Sequence, residues 1–562
     1  MGMTPFPLLP LSLLLSLAQS ESAPTTATGA LLDQRELQVA CARLAGEFPR
    51  EVSLVPLYES PQGRRVDALR VARGELTAGR PAVLVVAAID GPQAWTSTLA
   101  LEAARGLLTA TDPATKALLS STTFWIVPRA NPDACEVRFT QPLSESRATL
   151  PAALSSGDDD RDGTSGEDTP SDLDGNGMIT MLRISDPAGE WIVDPRDSRA
   201  MRKADRARGE QGAWRVMPEG RDSDRDRATG EDPQLDLVVN RNFPQGWREH
   251  TLEGGPWPTA MAESKALCDF VLAHPELAAV VVYGDWDNCA ERQKTRDEAA
   301  RRSSLPSEGV PTSDADAHAL TIQRSGAQLV GQASGGDHGT FQAWLQASRG
   351  LWTFAVAPWS MPTDVAALLE PESASAKPAP AEPSLDAKRL RWIDREKETA
   401  RFVPWRRFQH PDLGPVEIGG FAPFALIEPP QAERARLAGE QTKLLAGIAQ
   451  ALPRVRAASF TAKDLGNGLL QVDLVLQNDS ILPYRSALGV RTNAVRPIRL
   501  TLELPDDADR LAGPVEQLIG NLDGLGGRQE VRWLVRGCDP EDLVVLIDTP
   551  HAGAMRIEME VQ

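Results

Sequence analysis

The sequence predicts a three-layer α/β domain followed by a small antiparallel β-sandwich, and two changes of hydrophobic period carry that prediction. Four short apolar runs, AVLVVAAI at 82–89, TFWIV at 123–127, LAAVVVY at 277–283 and LWTFAV at 351–356, read as strands buried on both faces. Helical periodicity falls between them. At 97–109, for example, Leu99, Ala100, Ala103, Ala104, Leu107 and Leu108 form a single stripe of 3.6-residue period. Alternating strand and helix signals over 30–365 give the layered α/β domain. From 468 onward the period is two: Leu470/Val472/Leu474/Leu476, Ile498/Leu500/Leu502/Leu504, Val531/Trp533/Val535 and Met555/Ile557/Met559/Val561 alternate with mostly polar neighbours. Strands with one wet face and Gly- and Asp-rich turns make a sandwich over 456–562.

The remaining segments follow in order. Residues 5–18 are an apolar run too short to span a bilayer, and Ala18-Gln19-Ser20 resembles a signal-peptidase site, so 1–20 reads as a signal peptide and the protein as exported, periplasmic or extracellular. The alternative for this run is a buried N-terminal segment. No later apolar run reaches transmembrane length, so no membrane span is expected. Residues 366–388 have the Pro-, Ala- and Glu-rich composition of a linker, and 389–455 form a connector with a helix at 431–451.

Composition removes some functions. The 562 residues hold 59 Lys plus Arg against 78 Asp plus Glu, a net charge of −19 that repels nucleic acid. There are six His, the first at His250, so no catalytic scheme can draw on a histidine before that position. The five Cys (41, 135, 268, 289 and 538) form no CxxC, and nothing in their spacing suggests thiol chemistry.

An acidic insertion occupies 150–235. Side-chain oxygens recur at every second position in Asp158/Asp160/Asp162, in Asp172/Asp174/Asn176 and in Asp222/Asp224/Asp226. Gly163 and Gly177 close the first two repeats, and this spacing lets a tight loop aim several oxygens at one hard cation. The twelfth position of the second repeat, where a bidentate Glu would stand, is Arg183. Structural calcium and a solvated acidic loop are both open on this pattern.

Several segments, in this order, resemble the carboxypeptidase A-like zinc carboxypeptidase family. Val127-Pro128-Arg129-Ala130-Asn131-Pro132-Asp133 looks like its strand end and Asn-Pro-Asp turn, and Val239-Asn240-Arg241-Asn242-Phe243-Pro244 is similar to its Asn-Arg-Asn-Phe motif. The helix signal at 261–273 leads through His274-Pro275-Glu276 to the strand ending at Tyr283, and Gly339–Trp344 with Gly350–Phe354 looks like the closing helix and strand. The resemblance covers about 35–360 and implies a mixed eight-stranded sheet between helices. It also implies one zinc held by a His-x-x-Glu pair and a later His, with a Glu as general base.

Those residues are absent. The chain has Asp90-Gly91-Pro92-Gln93 at the first pair, Gly284 at the second His and Ala357 at the base. Asp90 with Asp285 or Asp287 would be an alternative, oxygen-rich cation site. Asn240 and Arg241 remain, matching the pair with which the family grips a peptide's terminal carboxylate, and Arg129 is a third candidate lining the same cleft. An internal ion pair would equally account for Arg241. The reading that follows is a non-catalytic homologue binding peptide or peptidoglycan-stem carboxylates. Its alternatives are an active metallocarboxypeptidase with an unusual metal site and a structural cell-envelope protein.

Overall fold

Strands without a polar side of their own must be covered twice, and alternation along the apolar runs sorts their side chains into two cores. In the computed structural model the residues described are 30–74, 80–145, 168–223, 225, 227–230, 237–251, 253–295, 309–331, 338–362 and 383–559. A six-stranded mixed sheet runs in the order Val52–Glu59, Arg65–Val71, Thr123–Val127, Ala82–Val86, Leu277–Tyr283, Trp352–Val356. The last four are parallel to one another, and the first two add an antiparallel hairpin. Six strands are present among the described residues where the resemblance implied eight.

Val83, Val85, Phe124, Ile126 and Val281 join one core beneath the helices Gln34–Glu47, Thr96–Thr109, Pro113–Ser121 and Gln431–Ala451. Leu84, Val86, Trp125, Val127 and Val280 face the other way, onto the helix Ala262–Ala273. The apolar run at 82–89 outlasts its strand. The chain leaves the sheet because Ala88 adopts a left-handed φ of 49°, its N–H donating to Thr96 Oγ1 at 2.9 Å and its carbonyl accepting from Asn131 N at 3.0 Å.

The acidic insertion contains strands that its composition concealed. Met181–Ser185, Trp191–Asp194, Asp197–Lys203 and Trp214–Pro218 are joined by the distant hairpin Phe402–His410 and Gly414–Phe421 in one six-stranded antiparallel sheet. Its core is small: Leu182, Met217, Val416 and Ile418. Arg183 substitutes for missing apolar bulk. Its guanidinium carbon lies 4.4 Å from the Trp405 ring centroid and 5.1 Å from that of Trp214, and Nη2 pairs with Glu417 at 2.7 Å.

The C-terminal unit is a sandwich of two four-stranded antiparallel sheets. One contains Val455–Asp464, Leu469–Asn478, Gly527–Arg536 and Asp509–Ala512; the other contains Glu516–Ile519, Ile498–Glu503, Val544–Asp548 and Met555–Glu558. The period-2 residues Leu470, Val472, Leu474 and Trp533 fill the space between them. Asp314 of the α/β domain ties the sandwich down by accepting from Ala487 N at 2.8 Å and Leu488 N at 3.1 Å. All five cysteines are free thiols. No helix among the described residues is long and apolar enough to cross a membrane.

Two features of the packing give measurable consequences. Gln431–Ala451 crosses Thr312–Ser325 at Gly447, where a Cβ would stand 2.6 Å from Ser325 Cα. Gly447→Ala therefore destabilises by about 1–3 kcal/mol through overpacking, although alanine is the better helix former; the check is a chemical-denaturation midpoint.

Glu263, in the first turn of Ala262–Ala273, is wholly buried with no hydrogen-bond partner for either carboxylate oxygen. Burial pushes its carboxyl up to about 7, and Asp133 pushes in the same direction. An acid raised on folding stabilises the native state below its unfolded value and loses that contribution as pH rises through the folded one. Stability should fall between pH 4.5 and 7 by about 3 kcal/mol on this account. Glu263→Gln should flatten the fall and raise the melting temperature at pH 8.

Candidate functional site

The parallel strands release their chains along one edge, after Val86, Val127, Tyr283 and Val356, where sheets of this kind present ligand sites. The first exit leads to Asp90 and the turn Gly91–Gln93. Asp90 is buried, and its Oδ2 accepts from Asn240 Nδ2 at 3.1 Å. Gly284 lies opposite: a Cβ there would come within 3.3 Å of the same oxygen. Gln93 is held at both ends of its amide, donating to Asp285 Oδ1 at 2.7 Å and accepting from Trp95 Nε1 at 3.1 Å.

Asp287 does not face these groups. Its Oδ1 accepts from Cys289 N and Ala290 N at 2.7 and 2.6 Å, and its Oδ2 from Ala357 N at 3.0 Å. Burial raises its carboxyl above the ordinary range against the pull of those three amides. Asp287 is thus a loop cap, which removes it from the oxygen-rich cation site that the sequence allowed. Ala357 is buried and meets the cap through its backbone.

Zinc does not fit this donor set. Gly284 and Ala357 bring no side-chain donor, Gln93 offers a weakly ligating amide already bonded twice, and the Asp90 carboxylate is engaged by Asn240.

Three of the predicted carboxylate contacts separate once the side chains are placed. Asn240 is buried and engages both ends of its amide internally, donating to Asp90 and accepting from Phe341 N at 3.0 Å, so it positions the segment. Arg129 is also corrected. It is 1% exposed, and Nε donates to Ser97 Oγ at 3.1 Å while Nη2 donates to Leu32 O at 2.6 Å and Nη1 to Gln34 Oε1 at 3.4 Å. It anchors the N-terminal segment under the sheet edge.

Arg241 differs from both. Nη1 donates to Asn240 O at 2.9 Å, and Nε lies 3.6 Å from the exposed Glu253 carboxylate. Its backbone passes so close to Gly339, with φ 62°, that a Cβ there would stand 2.2 Å from Arg241 O. Asn242 fixes the whole segment. It donates to Gly254 O and Trp257 O at 2.7 and 2.8 Å and accepts from Met261 N and Ser264 Oγ at 3.1 and 2.7 Å.

In the insertion, the second acidic repeat closes on itself. Asp172 Oδ1 accepts from Gly175 N and Asn176 N at 2.9 and 3.1 Å, Asp172 Oδ2 from Gly177 N at 2.8 Å, and Asp174 Oδ1 from Asn176 N at 3.0 Å. Glu219 arrives from the neighbouring strand end, placing carboxylate oxygens of Asp172, Asp174 and Glu219 within 4.8 Å of one another. Glu219 is buried and accepts from Leu173 N at 2.7 Å and Thr180 N at 3.0 Å; burial raises its carboxyl. No spacing rule finds Glu219. It reaches the loop because Met181 pairs with Pro218 across the sheet. Asp158, Asp160, Asp162, Asp224 and Asp226 lie outside the described residues.

Residues 37–172 match the zinc carboxypeptidase family. The α/β domain is zinc-carboxypeptidase-like. Residues 454–560 match a family described as a domain of unknown function (DUF8731), covering the sandwich. No curated protein matches the chain. Solved structures similar to it include thrombin activatable fibrinolysis inhibitor, at 12% identity over 76% of this chain and 75% of that one, with a TM-score of 0.35. Carboxypeptidase A from Helicoverpa armigera is similar at 15% identity over 59% of this chain and 65% of that one, TM-score 0.34. A metallo-carboxypeptidase from Pseudomonas aeruginosa is similar at 12% identity over 72% and 67%, TM-score 0.29.

Asn242, with four side-chain hydrogen bonds, holds the segment that carries Asn240 and Arg241. Asn242→Ala takes the side-chain partner from Trp257 O and Met261 N and one of two partners each from Gly254 O and Ser264 Oγ, and should cost about 3 kcal/mol in denaturant unfolding.

Proposed function

We propose that this carboxypeptidase-like protein binds the C-terminal carboxylates of peptides or peptidoglycan stems without cleaving them, after export from the cytoplasm. The observation that carries this reading is the pair of hydrogen bonds Asp90–Asn240 and Gln93–Asp285, which fill the positions where the family places its metal ligands. An amide and a carboxylate bonded to each other do not acidify a water as a bound metal would. Arg241 supplies the charge for a carboxylate, which would displace the loosely paired Glu253 from a planar guanidinium suited to two-point contact.

A structural cell-envelope role is the second reading, and the same Arg241–Glu253 pair favours it, since Arg241 is then balanced internally. Calcium belongs to either reading: Asp172, Asp174 and Asn176 supply the loop oxygens, and Glu219 takes the part of the acid that Arg183 does not provide.

The test uses the purified chain and a matched pair of short peptides, one with a free C-terminal carboxylate and one amidated. The free acid should bind at least about tenfold more tightly, Arg241→Ala should erase that preference, and mass spectrometry should find both peptides intact. Equal affinities would leave the structural role. Chelator-sensitive release of the terminal residue, together with about one tightly held zinc per chain, would restore the active peptidase.

A further inference from the structure

Arg241 and Glu253 ride on one pinned unit of backbone. Val238 N donates to Glu253 O at 3.0 Å, and Gly254 O accepts from Asn242 Nδ2 and from Trp247 Nε1, each at 2.7 Å. Gly255 turns the chain at a φ of 70°, so close to Asn242 that a Cβ there would stand 3.2 Å from Nδ2. Thr259 N then donates to Asn242 O at 2.7 Å. The backbone from Glu253 onward is thus tied to the segment that carries Arg241.

The two side chains are joined far more loosely than their backbones. Among the described residues Arg241 makes one side-chain hydrogen bond, from Nη1 to Asn240 O at 2.9 Å. Nε and Nη2 form the guanidinium edge that offers a carboxylate two parallel bonds. Glu253 Oε2 stands 3.6 Å from Nε, beyond hydrogen-bond reach, and its side chain is 54% exposed against 15% for Arg241. Arg241 is the one charged partner of the Glu253 carboxylate among the described residues.

We infer that Glu253 is a tethered competitor, an internal carboxylate whose displacement sets how tightly Arg241 takes the terminal carboxylate of a peptide. This rests on the carboxylate-binding reading of Arg241 and adds the regulation of that site. The pinned backbone keeps the Glu253 carboxylate at high effective concentration beside the guanidinium. The long contact and the exposed side chain make it cheap to displace. Once displaced it remains a like charge close to the bound carboxylate. Glu253 therefore lowers affinity twice, by having to leave and by repelling what replaces it. Both effects vanish with its charge, and neither acts on an amidated terminus.

The full chain and its Glu253→Gln variant are titrated by calorimetry with the matched free-acid and amidated peptides. Glu249→Gln, at a side chain 72% exposed, controls for the loss of one negative charge. Glu253→Gln is expected to bind the free acid at least about threefold more tightly than the parent does, with the amide unchanged and Glu249→Gln matching the parent. If the parent prefers the free acid and Glu253→Gln binds it no more tightly, the competitor is overturned while the carboxylate reading stands. An equal gain in Glu249→Gln also overturns it, as an effect of net charge alone. If neither the parent nor Glu253→Gln distinguishes acid from amide, the carboxylate reading falls and takes the competitor with it. A preference that emerges only in Glu253→Gln upholds both.

Discussion

Every residue of Ala82–Val86, Thr123–Val127 and Leu277–Tyr283 is buried, and the rest of the α/β domain answers to that constraint. Parallel strands need crossovers, and crossovers deliver helices to both faces, so the two cores and the three layers arise together. The same topology sends each chain out of the sheet at one edge. Asp90, Asn131, Gly284 and Ala357 gather there because of where strands end. They gather whether or not any of them does chemistry.

What fills that edge is a set of neutral and acidic groups that satisfy one another. Asp90 bonds Asn240, Gln93 bonds Asp285 and Asp287 bonds three backbone amides. Such a network rigidifies a site when its members are matched. The contrast with the insertion is physical. There Asp168 keeps a buried oxygen with no hydrogen-bond partner among the described residues.

Runs such as TFWIV and the helix at 431–451 were legible because one period, sustained over many residues, outweighs local noise. The sandwich was legible at its most regular strands, whereas Val455–Asp464 and Asp509–Ala512, richer in exposed residues, carried a weaker signal. The insertion sheet was not legible at all: its insertion strands are four to seven residues long and charged, and one edge is completed by a hairpin more than two hundred positions away. At the site, the residue types were readable and their partners were not. Arg129 and Arg241 look alike in a sequence, yet one is sealed under Leu32 and Ser97 and the other faces an exposed acid. Glu219 and Asp287 act through neighbours that only the folded chain brings near.

The insertion sheet also imposes an order on synthesis. Arg183 bonds Glu417 across 234 residues of chain, so Met181–Ser185 emerges from the ribosome long before the strand that borders it. Until Gly414–Phe421 has been made, one edge of that sheet lacks its native neighbour, a condition in which strands recruit wrong partners. The charged side chain of Arg183, on the strand that waits and so poor a signal of structure, acts as a guard meanwhile. A chain that stopped before residue 402 would keep the four insertion strands and lack the two that finish their sheet.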